Sequence, residues 1–309
     1  MCSDRIRQSM GIPRYHHAWQ NRTTLCLLLL AGLAFTSCNG SRQESQPDHP
    51  RLAPDVKMVD VTFHSPALQR DMQYRAVLPA KISFGQKFPV LYLLHGGGGG
   101  FRDWSNYSDA AGNAARGLIL VMPEGNSSYY MNSSAHPEDR FEDYIVRDLI
   151  ADVEQRFPAL DGRANRAIAG VSMGGFAAVV LALKHPDLFV FAGGLSPALD
   201  VPSRPFSIKR IGQWRQHSSI FGWWGSQSRK DNDPLVLARS TDPAQAPYIF
   251  LTCGDQEGLL VVNRRFSVLL KQRNYQYEFH TARGGHDWNQ WNRQIPDLLK
   301  SLMQHLSKS

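Results

Sequence analysis

The sequence predicts an α/β domain built on a mostly parallel central sheet with helices on both faces. Three observations carry this. From residue 56 almost to the C-terminus, strand-length apolar runs alternate with stretches of helical period, the order that a parallel sheet with crossover helices requires. Two of the runs, FPVLYLLHG (88–96) and LILVMPEG (118–125), are apolar almost throughout, as strands buried on both faces are. The chain has 309 residues with 42% hydrophobic and 20% charged, enough to bury a large core without staples.

The elements follow in order. VKMVDVTFHS (56–65) and MQYRAVLPA (72–80) predict two strands around a polar turn. The two apolar runs supply the next two strands. In EDYIVRDLIADVEQRF (142–157), Ile145, Leu149, Val153 and Phe157 stand at four-residue steps, a helical stripe. Strand RAIAGV (166–171), helix GGFAAVVLALKH (174–185) and strand LFVFAGGLS (188–196) come next. Residues 197–233 are the least regular and read as an insertion over one end of the sheet. Strand APYIFLTCG (246–254), helix LLVVNRRFSVLLKQR (259–273) and strand YQYEFHTA (275–282) resume the alternation. A last helix covers 288–306, with Pro296 expected to kink or restart it. No internal repeat is present.

The N-terminus is a targeting segment by its composition. Residues 25–35, LCLLLLAGLAF, are too short to span a bilayer and suit a signal-peptide core, with Arg14 and Arg22 ahead of them. The following TSC resembles a bacterial lipoprotein cleavage site. That resemblance implies a signal peptide over 1–37 and lipid on Cys38, anchoring the chain to a membrane. The bland alternative is ordinary secretory cleavage with a free Cys38. Residues 38–55 are polar and proline-bearing and read as a tether, leaving 56–309 as the folded domain. Cys2 and Cys26 fall in the removed segment, Cys38 takes lipid, and Cys253 has no partner, so no disulfide framework is expected. The net charge is +7, of which +4 remains after residue 37. It contains no block of Lys/Arg, so nucleic acid is not an expected partner. No Cys/His spacing fits a metal, and no cofactor is expected.

Four motifs carry chemistry. Ser172 stands in G-V-S-M-G between a predicted strand and a predicted helix. This is the pattern of the nucleophile elbow of α/β-hydrolases. The glycines let the helix pack close, and the Met173 N–H faces the same space as the hydroxyl. The alternative is a plain glycine-rich turn. HGGGGG (95–100) ends the third strand and offers bare backbone N–H groups; Gly97 is the proposed second donor to an oxyanion. His95 is expected to orient that loop. No Lys-Ser/Thr follows the glycines, against a phosphate loop. His286, after two glycines and the last strand, is the candidate base. The orienting carboxylate belongs in Gly254-Asp255-Gln256-Glu257-Gly258, and the residues alone leave Asp255 and Glu257 open.

GVSMGG, LYLLHGGGG, CGDQEGLLVVNRRF and GGHDWNQW together resemble the esterase D-type family of α/β-hydrolases, which includes feruloyl esterases, S-formylglutathione hydrolases and mycolyltransferases. The likeness spans about 56–306 and is closest to the feruloyl esterase branch. It implies Glu257 as the acid, with Glu where Asp is common, and Asp255 as runner-up. It implies a Ser-His-acid ester hydrolase acting on feruloyl or acetyl esters of carbohydrate. The glutathione substrate is cytosolic and fits an exported chain poorly. Acyl transfer on the same fold and a non-catalytic lipoprotein module are the alternatives. Trp104, Trp223, Trp224, Trp288 and Trp291 are candidates for stacking on substrate; core packing is the alternative for each.

Overall fold

The computed structural model describes residues 47–306. The expected signal peptide, Cys38 and the first part of the tether lie outside the described residues.

Eight strands form one sheet in the order β1-β2-β4-β3-β5-β6-β7-β8. They are β1 (Val56–Ser65), β2 (Arg70–Pro79), β3 (Val90–Leu94), β4 (Ile119–Pro123), β5 (Arg166–Val171), β6 (Phe191–Leu195), β7 (Tyr248–Gly254) and β8 (Tyr277–Ala282). The pairs β1·β2 and β2·β4 are antiparallel, and every other pair is parallel. All eight expected strands are present: β1 and β5 span the expected residues, β2 starts two residues earlier, and the others are trimmed versions of the apolar runs.

Period-2 alternation divides the central strands between two cores. Val90, Tyr92 and Leu94 of β3 face one layer, while Leu91 and Leu93 face the other. The first layer packs on α4 (Met173–Lys184) and on the segment that holds Ile145, Leu149 and Val153. The second packs on α1 (Asp103–Tyr107) and α9 (Trp288–His305). A third cluster joins α4 to α7 (Pro234–Ser240) and α8 (Leu260–Gln272).

Four details differ from expectation. The helix of 142–157 is not uniform: α2 (Phe141–Asp143) and α3 (Ile150–Arg156) flank one wider π-turn over Tyr144–Leu149. The wider turn still delivers Tyr144, Ile145 and Leu149 to the core, so burial rather than ideal backbone bonding sets the local winding. The insertion is helical, with α5 (Ile211–Phe221) and α6 (Gln227–Asp231) ahead of α7. The helix α9 continues through Pro296. Ile295, Leu298, Leu299 and Leu302 are buried on it, and that burial offsets a cost of about 3 kcal/mol for an internal proline. Finally, the end of the expected tether is docked from Pro47. Asp48 makes a two-pronged ion pair with the fully buried Arg75, which also bonds Asp60 and the Ser105 hydroxyl. A buried guanidinium without its carboxylates would be strongly unfavourable, so the network holds these residues on the domain.

Candidate active site

Ser172 sits where β5 ends and α4 begins, with φ +53 and ψ −110. That conformation is strained for a side chain with a Cβ. It persists because its surroundings leave no alternative. A Cβ on Gly170 would lie 2.3 Å from the Gly174 carbonyl carbon, and one on Gly174 would lie 2.2 Å from the Leu94 oxygen. Strand β5, helix α4 and the end of β3 are therefore in direct backbone contact around the serine. The turn is closed by the Ser172 N–H to the Leu195 carbonyl (2.9 Å) and by the Ala198 N–H to the Ser172 carbonyl (3.1 Å).

His286 arrives on the loop between β8 and α9. Its Nε2 lies 2.8 Å from Ser172 Oγ, and its Nδ1 lies 2.6 Å from Glu257 Oε2. Glu257 is the carboxylate this fold brings to the histidine. Asp255 instead accepts the Gly284 N–H (3.0 Å) and braces the loop that carries His286. The Glu257 side chain is only 1% exposed, whereas the His286 ring is 39% exposed. Its other oxygen accepts the Gly254 N–H (2.8 Å) and the Ser196 hydroxyl (2.6 Å). Ser196 in turn accepts the Trp291 indole N–H (3.1 Å). Both oxygens of a nearly buried carboxylate are thus satisfied.

The glycine-rich loop lies beside the serine. A Cβ on Gly97 would be 4.0 Å from Met173 Cβ. Neither the Gly97 nor the Met173 N–H has an acceptor among the described residues. Met173 opens α4, so its free N–H points from a helix N-terminus, where partial positive charge collects. His95 is buried and holds the loop. Its Nδ1 lies 2.8 Å from the Gly96 carbonyl oxygen, and its Nε2 lies 3.0 Å from the Gly125 nitrogen and 3.3 Å from Glu124 Oε1. Glu124 accepts the backbone N–H groups of Phe101 and Asn126 from below. Burial works against its charge, yet these donors and His95 hold its carboxyl under the usual range.

The tryptophans divide. Trp104 is 1% exposed, with its indole N–H on the Leu94 carbonyl (3.0 Å). It is a core residue beneath the end of β3 and cannot reach a substrate; the loop in which the sequence placed it is the buried helix α1. Trp288 is half-buried between Trp104 and Trp291, edge-on to both. Trp291 is buried and packs edge-on against the His286 ring at 5.1 Å. Trp223 and Trp224 are exposed at 74% and 59% on the insertion. Sequence reasoning missed Ser196, Glu124 and Tyr130, whose hydroxyl accepts the His95 N–H (2.9 Å). Ser196 had one usable signal, its place just past the C-terminal end of a central strand, where ligand-facing residues of such sheets gather.

The family model described as "Putative esterase" matches residues 65–302. The chain belongs to this esterase family. An acetyl esterase of Caldicellulosiruptor saccharolyticus is 27% identical over 260 residues, covering 79% of this chain and 97% of that one. The esterase also matches an endo-1,4-beta-xylanase/feruloyl esterase of Xylanibacter ruminicola at 25% identity, 79% of this chain against 31% of that longer protein. Its fold is shared with a solved ferulic acid esterase (TM-score 0.71, 24% identity, 82% and 99% coverage). A fluorophosphonate-binding serine hydrolase of Staphylococcus aureus superposes with TM-score 0.69 at 25% identity, covering 82% of this chain and 99% of that one. The α/β-hydrolase architecture and serine-esterase class that the motifs implied are those of its relatives.

Proposed function

We propose that the esterase hydrolyses feruloyl or acetyl esters of carbohydrate through Ser172, His286 and Glu257. The observation that carries this is the unbroken array from Ser172 Oγ through the His286 ring to Glu257. Ser172 attacks the ester carbonyl as His286 Nε2 takes its proton. Glu257 fixes the ring through Nδ1 and stabilises its charged form. The Gly97 and Met173 N–H groups receive the developing oxyanion. Each donor of this kind lowers the barrier by about 2.7–4 kcal/mol. The alcohol leaves with the proton held by His286, and water then cleaves the acyl-enzyme. The 39% exposure of His286 favours water as the acceptor over a second alcohol. The names of the acetyl and feruloyl esterase relatives support the substrate class. Lipid on Cys38 would hold the enzyme at a membrane facing such esters.

The test is a panel of p-nitrophenyl acetate, methyl ferulate and an acetylated xylo-oligosaccharide. Ser172→Ala is expected to lose on the order of 10⁶-fold in kcat while remaining folded. Turnover at the wild-type rate by that variant would refute the mechanism. Turnover of p-nitrophenyl acetate alone would refute the carbohydrate assignment.

A further inference from the structure

The insertion between β6 and β7 carries a charge pattern that the ester-cleaving residues do not use. From residue 201 to 230 the chain holds Arg204, Lys209, Arg210, Arg215, Arg229 and Lys230, with no Asp or Glu. No two of the first four cluster by more than a dipeptide, so the sequence shows no basic block. The fold gathers them. Arg204, Lys209, Arg210 and Arg229 line one cleft of about 350 Å³, walled also by Trp214 and His217, a size that suits a small-molecule group.

The charges in this cleft are mostly uncompensated. Arg204 is paired with Asp200 through two hydrogen bonds (2.6 and 3.0 Å). Arg229 is 4% exposed, yet its guanidinium meets only neutral acceptors. These are the Gly222 carbonyl (2.9 Å), the Pro202 carbonyl (2.8 Å) and the Ser218 hydroxyl (3.3 Å). Lys209 and Arg210 are exposed at the mouth of the cleft and make no ion pair among the described residues. His217 adds no charge at neutral pH, because burial and then Arg204 and Arg229 push it down to about 4. The Trp214 indole N–H is buried with no acceptor. A burial-held cation without a counter-ion, beside an unused N–H donor, is an arrangement completed by an anion.

A line of packed rings runs from the cleft toward the nucleophile turn. His217 Nε2 lies 3.1 Å from the Tyr129 hydroxyl. The Tyr129 ring packs edge-on against Phe176 (5.8 Å), whose N–H bonds the Ser172 carbonyl (2.9 Å). The rings of His217, Tyr129 and Phe176 thus stand in line between the cleft and the turn that carries the nucleophile.

We propose that this cleft selects esters whose saccharide part carries a compact anion, a carboxylate or a phosphate, held by Lys209, Arg210 and Arg229 with Trp214 as a stacking wall. The proposal rests on the reading of Ser172 as the esterase nucleophile. Exposed Phe206, Ile208, Trp223 and Trp224 nearby would also suit an anionic membrane. The concave placement of the cations favours a small group entering between them.

The test compares kcat/KM of the full chain for an acetylated xylo-oligosaccharide with and without a glucuronic acid branch. A phosphorylated acetyl sugar and its neutral parent form the second arm. In one arm the anionic ester is expected to exceed the neutral one by about tenfold, through KM, with the advantage screened away by about 0.5 M salt. The arm that responds names the anion. In Lys209→Gln/Arg210→Gln the ratio is expected to fall below about twofold. A wild-type ratio near one in both arms, or a ratio that the double variant leaves intact, overturns the proposal. So does a ratio of one together with cation-dependent binding to phosphatidylglycerol vesicles, which assigns the patch to a membrane. If no ester is turned over, binding of the uronate-branched oligosaccharide to Ser172→Ala tells the two readings apart. Binding that the double variant loses sustains the cleft while the hydrolytic reading fails.

Discussion

Ser196 occupies the left-handed region, with φ +48, and is fully buried. A non-glycine residue is held there only when its surroundings over-determine it. Here the hydroxyl joins the Trp291 N–H to Glu257, two bonds upstream of His286. Removing it leaves a buried indole donor and one carboxylate oxygen less satisfied, at about 1–3 kcal/mol. Ser196→Ala is therefore expected to lower kcat by about tenfold with KM little changed. An equal loss in KM, or none in kcat, would make Ser196 structural only. At the neighbouring loop, Glu257→Ala should cost about 10⁴-fold in kcat and Asp255→Ala less than about tenfold. Steady-state kinetics of the two variants check this, and the reverse order would move the acid to Asp255. The sequence offered both carboxylates because they stand two residues apart. Only the path of the loop after β7 sends one inward and the other to the Gly284 N–H.

The elbow between β5 and α4 was legible as an element because its requirements are local. A serine flanked by glycines between an apolar run and a helix can hardly serve two backbones in contact any other way. Gly174→Ala is expected to push α4 off the Leu94 and His95 carbonyls, lowering the melting temperature by several degrees and abolishing turnover. A fully active variant with an unchanged melting temperature would show that the strand ends can part without cost. The insertion was not legible in the same way. Its helices α6 and α7 are only five and seven residues long, too short for an apolar stripe to repeat, so pattern gave no clear period. Trp104 was misplaced for a related reason. A five-residue helix after a glycine loop reads as loop, and only packing beneath β3 shows the indole to be core.

Across the whole molecule, Glu142 ties separate elements together. From α2 it bonds His185 and Lys184 at the end of α4, and Lys184 reaches on to Asn232 beyond α6. Burial raises the carboxyl, but these partners outweigh it and hold it below the usual range. An unfolded glutamate titrates near about 4.3. The stabilisation is therefore complete above that pH and is lost as pH falls through the lower folded value. Glu142→Gln is expected to cost about 1–3 kcal/mol at pH 7, with melting curves of variant and wild type converging toward pH 3. A gap that stays constant with pH would remove the charge from this account.

The sequence by itself determined the alternation of strands and helices, the serine elbow, the glycine loop and the histidine. Each depends on neighbours within a few residues or on a repeating period. The fold keeps the Cys253 thiol buried. Tertiary structure decided which carboxylate meets His286, that Ser196 and Trp291 stand behind it, that Trp104 is core, and that Asp48 closes on Arg75. It also gathered scattered cations into one cleft. These outcomes depend on how the sheet edge and its loops fold over one another, and no local pattern encodes that.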